Sequence, residues 1–156
     1  MIGTILTGCG SKNNASEAPA EDNTQQTASV QQEQSQTEKA LALINTFATG
    51  DTDTARSLLA DGYIQHNLAY GTGADAFIGS VEYLASADVK TTVNNIRAFE
   101  DGDKVFLQTI YNFAGAGEQV AFDIFRFDEN GKIAEHWDVM ETIADQSTWQ
   151  NENGKF

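Results

Sequence analysis

The chain has 156 residues, enough for one domain with a substantial core, and 23 acidic against 9 basic residues give a formal net charge of −14. That balance argues against nucleic acid, since phosphate binding needs clustered Lys and Arg, and against docking of the domain itself on anionic lipid. A single cysteine rules out an internal disulfide.

That cysteine, Cys9, sits in Leu6-Thr7-Gly8-Cys9-Gly10. The pentad resembles a bacterial lipobox, in which the cysteine is lipidated and becomes the mature N-terminus. Met1–Ile5 is too short for the apolar part of a signal peptide, so residues 1–9 read as a remnant of one. Residues 10–37 are Ser, Asn, Ala, Glu, Gln and Thr with almost nothing apolar. Such a segment cannot bury enough surface to offset its ordering entropy. As a tether it would span roughly 30 Å. Without residues 1–37 the chain keeps eight basic and nineteen acidic residues, so the acidity belongs to the folded part. No stretch is apolar and long enough to cross a membrane as a helix. The expected layout is a lipid-anchored, extracytoplasmic protein of a bacterial cell envelope, held to the membrane by its anchor only.

A domain is expected over residues 38–143. Glu38–Thr49 carries Leu41, Leu43, Ile44, Phe47 and Ala48 at helical spacing, with Thr37 as a cap and Gly50 as the stop. Asp51–Leu59 starts a second short helix, ended by Asp61-Gly62. Tyr63-Ile64-Gln65-His66-Asn67 reads as a short strand, followed by a glycine-rich loop. Ala74–Ser86 places Phe77, Ile78, Val81 and Leu84 on one helical face. Three alternating runs follow, Val89–Glu100, Lys104–Phe113 and Glu118–Phe127, with turns at Asp101-Gly102 and Gly115-Ala116-Gly117. Lys132–Ile143 is the last strand, and residues 144–156 read as a frayed tail. Helices first and antiparallel strands afterwards form an α+β pattern.

The last two strands carry the most information. Asn130-Gly131 is a strong hairpin signal, because a tight turn there needs positive φ. A two-residue turn sets Arg126 opposite Glu135 and Asp123 opposite Asp138. A four-residue loop keeps the same faces but sets Asp123 opposite His136; a three-residue loop would flip one strand. Alternation then gathers Asp123, Phe125, Phe127, Ala134, His136, Asp138 and Met140 on one face. The other face carries Phe122, Ile124, Arg126, Ile133, Glu135, Trp137 and Val139. Two carboxylates and an imidazole among apolar side chains suit acid–base chemistry. Asp138, desolvated and near Asp123, is the candidate general acid/base, with His136 to orient, relay or bind. Arg126 and Glu135 read as a structural cross-strand pair, and Phe99, Phe106, Tyr111 and Phe113 as core or pocket wall.

Tyr63–Asn67 after a helix pair, together with Asp123–Arg126 and Gly131–Asp138, resembles the SnoaL-like proteins of the nuclear transport factor 2-like superfamily. The likeness covers about residues 38–143. It implies a cone-shaped fold, three N-terminal helices against a strongly curved antiparallel sheet that leaves a pocket. It also implies polyketide cyclase-like aldol or isomerase/lyase-type chemistry without a cofactor, or ligand capture without turnover. It adds His66 to Asp123, His136 and Asp138 as a site residue, and a homodimer through the outer sheet face. The expected partner is a small apolar molecule. Leu68, where many relatives have proline, departs from the family pattern. A metal site on His66, His136, Asp123 and Asp138 is not expected, because nothing in the spacing brings His66 to the others.

Overall fold

A computed structural model describes residues 33–156. The lipobox with Cys9 and most of the tether lie outside the described residues. The first helix, α1 (Gln36–Thr49), begins earlier than the sequence spacing suggests. Its cap is Ser35, not Thr37: Ser35 Oγ accepts the Glu38 N–H at 3.1 Å and the Ser35 N–H donates to Glu38 Oε2 at 2.8 Å. This reciprocal capping satisfies two amides that the first helical turn leaves without partners. Gly50 ends α1 in the left-handed region at φ 74°, and a β-carbon there would meet Ala85 Cβ at 2.8 Å. Asp51 then caps α2 (Thr52–Leu58), taking the Thr54 N–H at 2.9 Å. The chain continues through β1 (Leu59–Gln65), α3 (Ala74–Ser86), β2 (Thr92–Asp101), β3 (Lys104–Asn112), β4 (Gln119–Phe127) and β5 (Ile133–Thr142).

The five strands form one sheet in the order β1-β5-β4-β3-β2. Two expectations change here. β1 runs parallel to β5, so the sheet is mixed, and β1 separates α3 from the first two helices. β1 pairs with no sequence neighbour: the chain crosses from it through α3 to β2 at the opposite edge, and its partner β5 is the last strand.

α1 packs on β2 and β3, and α3 lies against β1 and both other helices. Leu43, Ile44 and Val81 from the helices meet Val105, Phe125 and Ile133 from the inner sheet face, all essentially without solvent contact. Ile133 belongs to this core rather than to the outer face. β4 pairs Arg126 with Glu135 but Phe127 with Ile133, so Ala134 is an extra residue in the ladder. That bulge turns Ile133 inward beside Phe127. The hairpin loop also departs from the tight turn: the Gly131 N–H bonds Asp128 O at 3.0 Å, and Asp128 Oδ1 accepts from both Asn130 and Lys132 at 2.9 Å. Among Asn130 and Gly131, only Gly131 has positive φ.

Upstream of the bulge the ladder has the predicted register, with Asp123 opposite Asp138 and Arg126 opposite Glu135. Phe99 and Phe106 are corrected from core to outer face; they pair with each other, and Phe106 pairs with Ile124 on the same face. The C-terminal segment is anchored: Gln108 Nε2 donates to Lys155 O at 2.8 Å, and Lys155 Nζ pairs with Glu141 at 2.7 Å.

Candidate active site

A cavity of about 580 Å³ opens between the helices and the inner sheet face. Phe47, Phe77, Phe113, Leu84 and Met140 supply apolar wall. Its floor is the hairpin face read from the sequence: Asp123 on β4 with His136 and Asp138 on β5. Among the described residues no Lys or Arg lines the cavity. The three floor side chains are only 5%, 8% and 7% exposed, respectively.

Each floor residue is held from behind by a neutral partner. Tyr111 OH donates to Asp123 Oδ2 at 3.0 Å. Asn67 Nδ2 donates to Asp138 Oδ1 at 2.6 Å. Gln65 Oε1 accepts the Asn67 N–H at 2.9 Å, which turns the Gln65 amide nitrogen toward His136 Nδ1 at 3.0 Å and Tyr63 Oη at 3.2 Å. An N–H facing Nδ1 matches the ring tautomer that carries its proton on Nε2. Nε2 then donates to Asp123 Oδ1, 3.1 Å away. Phe125 stacks on the imidazole with ring centres 4.5 Å apart, fixing its plane.

Electrostatics separate the groups. Burial pushes the Asp138 carboxyl above the ordinary carboxylate value and the Asp123 charge adds to that, while His136 and the Asn67 hydrogen bond oppose it. Burial likewise raises the Tyr111 hydroxyl, helped by Asp123, and the Tyr63 hydroxyl, helped by Asp138 and Asp123. Both phenols therefore stay protonated near neutral pH, Tyr111 donating to Asp123 and Tyr63 accepting from Gln65. Asp138 Oδ2 has no hydrogen-bond partner among the described residues; the nearest cationic candidate is His136 Nε2 at 4.0 Å. A raised carboxyl with one free oxygen in an apolar cavity can accept and return a proton.

His66 does not join this site. Its Nε2 bonds Glu135 Oε2 at 3.0 Å and its ring lies flat on Trp137 at 4.4 Å, both on the outer face. Glu135 also takes Arg126 Nε at 2.7 Å, so Arg126 sits in the expected cross-strand pair. The hydrogen bonds from His66 and then Arg126 hold the Glu135 carboxyl below the usual range. The strand alternates: Ile64 and His66 point outward while Tyr63, Gln65 and Asn67 point inward. The His66 assignment came from family likeness, and it hid Gln65 and Asn67. Asn67 Oδ1 accepts the Ala69 N–H at 2.9 Å while its amide nitrogen holds Asp138.

A helix-backed mixed sheet with an acidic pocket floor is an α+β fold of the nuclear transport factor 2-like type. Residues 40–136 match the model of the SnoaL-like domain, and the chain belongs to that family. No curated protein matches the chain. Among solved structures it is similar to an NTF2-like protein of unknown function from Cytophaga hutchinsonii, with TM-score 0.60 and 16% identity over 71% of this chain and 94% of that one. IdmH from Streptomyces antibioticus, described as a candidate polyketide cyclase, gives TM-score 0.56 and 18% identity over 69% and 93%. An LEH-like epoxide hydrolase of M. tuberculosis gives TM-score 0.57 and 18% identity over 66% and 80%. At these identities the likeness shows the fold alone.

Proposed function

We propose that the pocket performs acid–base chemistry on a small, apolar carbonyl compound, in the manner of an aldol cyclisation or an isomerisation. The carrying observation is Asp138: a buried carboxyl with a raised pKa and a free Oδ2, at the floor of a cavity with no Lys or Arg among its described lining residues. In this reading Oδ2 takes the proton from the carbon beside the carbonyl. The enolate oxygen takes over the His136 Nε2–H that Asp123 Oδ1 accepts in the free pocket, and the Gln65 N–H on Nδ1 holds the imidazole in that tautomer. Asn67, Gln65 and Tyr111 keep the groups in place.

A panel of small neutral ketones, esters and aldehydes, screened by ligand-observed NMR and followed by turnover of each hit, tests this. Asp138→Asn should abolish turnover while keeping the fold and most ligand affinity, so the loss appears in kcat rather than KM. If Asp138→Asn changes affinity and no hit is turned over, the pocket captures its ligand without reaction. The apolar lining favours that second reading equally in its binding step. We further infer that the outer face pairs two copies of the chain, because Phe99, Phe122 and Val139 are 64%, 56% and 73% exposed there.

A further inference from the structure

We propose that Asp123, His136 and Asp138 form a binding site for a divalent first-row metal ion, with Mn²⁺ as its simplest probe. In each of the three, the atom facing away from the others is already engaged. Asp123 Oδ2 is held by Tyr111, Asp138 Oδ1 by Asn67 and His136 Nδ1 by Gln65. What remains is one inward atom apiece: Asp123 Oδ1 and His136 Nε2, which among the described residues bond only each other at 3.1 Å and would exchange that bond for the ion, and Asp138 Oδ2. Three such ligand atoms lie within 4.8 Å of one another.

A second observation points to a cation independently of that spacing. Asp138 Oδ2 belongs to a side chain 93% buried (7% exposed), is aimed at the group, and has no hydrogen-bond partner among the described residues. Two buried carboxylates with no Lys or Arg among the described lining residues leave negative charge that this lining does not balance. The outer partners have the character of a supporting shell, which orients ligands and tunes their basicity. Gln65 fits both states of the imidazole. Its Nε2 lies 3.0 Å and its Oε1 3.2 Å from His136 Nδ1. In the metal-free protein the amide N–H faces Nδ1, and the ring proton sits on Nε2. With an ion on Nε2 the ring proton moves to Nδ1 and the amide oxygen accepts it. Two carboxylates and one imidazole suit Mn²⁺, Fe²⁺ or Zn²⁺, and the cavity leaves the remaining coordination positions to water or a ligand oxygen.

The proposal goes beyond the proton-transfer reading, because ion and proton compete for the same Asp138 Oδ2. Any proton-transfer turnover should therefore be slowed by added Mn²⁺ and be fastest with chelator present.

The chain has two histidines, His66 and His136, on opposite faces of the sheet. That permits a test on the unaltered full chain. Substoichiometric Mn²⁺ should broaden the His136 ring-proton NMR signals at markedly lower ion concentration than those of His66, which adjoins it on the other sheet face. Titration of the free Mn²⁺ electron spin resonance signal should give one equivalent bound. His136→Gln and Asp138→Asn should each weaken binding about tenfold or more, the scale found when a metal's supporting or ligating group is lost. Glu141→Gln, an exposed acid elsewhere, should not. Equal broadening of both histidines, broadening of neither, or unchanged affinity in both pocket variants would overturn the site. Proton transfer is read in chelator-treated protein, so it can fail or stand separately from this result.

Discussion

Burial lifts the Asp138 carboxyl above its ordinary value of 3.8, with Asp123 contributing next among the raising effects. The folded state then binds this proton more tightly than the unfolded state. Stability attributable to the group is intact below the unfolded value and falls as pH rises through the folded one. Asp138→Asn removes that penalty, and its amide oxygen can still accept the Asn67 N–H. The variant should melt at or above the wild-type temperature at pH 7, and the difference should vanish in acid; calorimetry across pH checks this. A lower melting temperature at pH 7 would mean that the fold relies on the charge. His136→Gln keeps a donor near Asp123, so its effect on turnover should be smaller than that of Asp138→Asn, on the order of 10²-fold.

At the scale of elements, the β4–β5 hairpin divides two chemistries between its faces. Arg126→Ala removes the outer-face pair with Glu135 and leaves the pocket floor alone. It should cost about 1 kcal/mol or less, as for a partly exposed pair, with ligand affinity and kcat unchanged. Ser35→Ala, which dissolves the reciprocal cap of α1, should cost about 1 kcal/mol by denaturant unfolding. Asp123, His136 and Asp138 could be grouped from spacing because two- and four-residue loops give the same faces; the actual loop between Asp128 and Lys132 has three residues, and the extra residue Ala134 restores those faces. Ile133 was not legible, because a bulge is invisible to strict alternation, and Ala134 carries no signal for it. β1 failed for another reason. Alternation across Tyr63–Asn67 sets His66 on the side opposite Tyr63, Gln65 and Asn67 but does not say which side faces the pocket, and family likeness assigned His66 to it. The parallel pairing of β1 depends on contacts with β5 some 70 positions on, as in Gln65 opposite His136, and local sequence does not encode those.

For the whole molecule, the sheet separates a pocket from an apolar outer surface, and the anchored C-terminal segment reaches that surface at Gln108 and Glu141. If the outer face joins two copies, sedimentation should show a dimer at micromolar concentration, and Val139→Lys should give a monomer with an intact pocket. A wild-type monomer would remove that inference. The reading of Leu6–Gly10 as a lipidation motif predicts incorporation of labelled fatty acid when the chain is expressed in bacteria with a complete signal peptide, abolished by Cys9→Ser. The central claim is that Asp138 removes a proton from carbon inside this cavity, and a defined reagent tests it without knowledge of the natural substrate. Nitrobenzisoxazole is uncharged and apolar, and its ring opens to a coloured phenolate when a base takes one carbon-bound proton. With chelator present, the wild-type protein should open it faster than an equal concentration of acetate. The rate should rise with pH through an ionisation above the ordinary carboxylate value, and Asp138→Asn should fall to the buffer rate. An Asp138→Asn variant as fast as wild type would contradict the account.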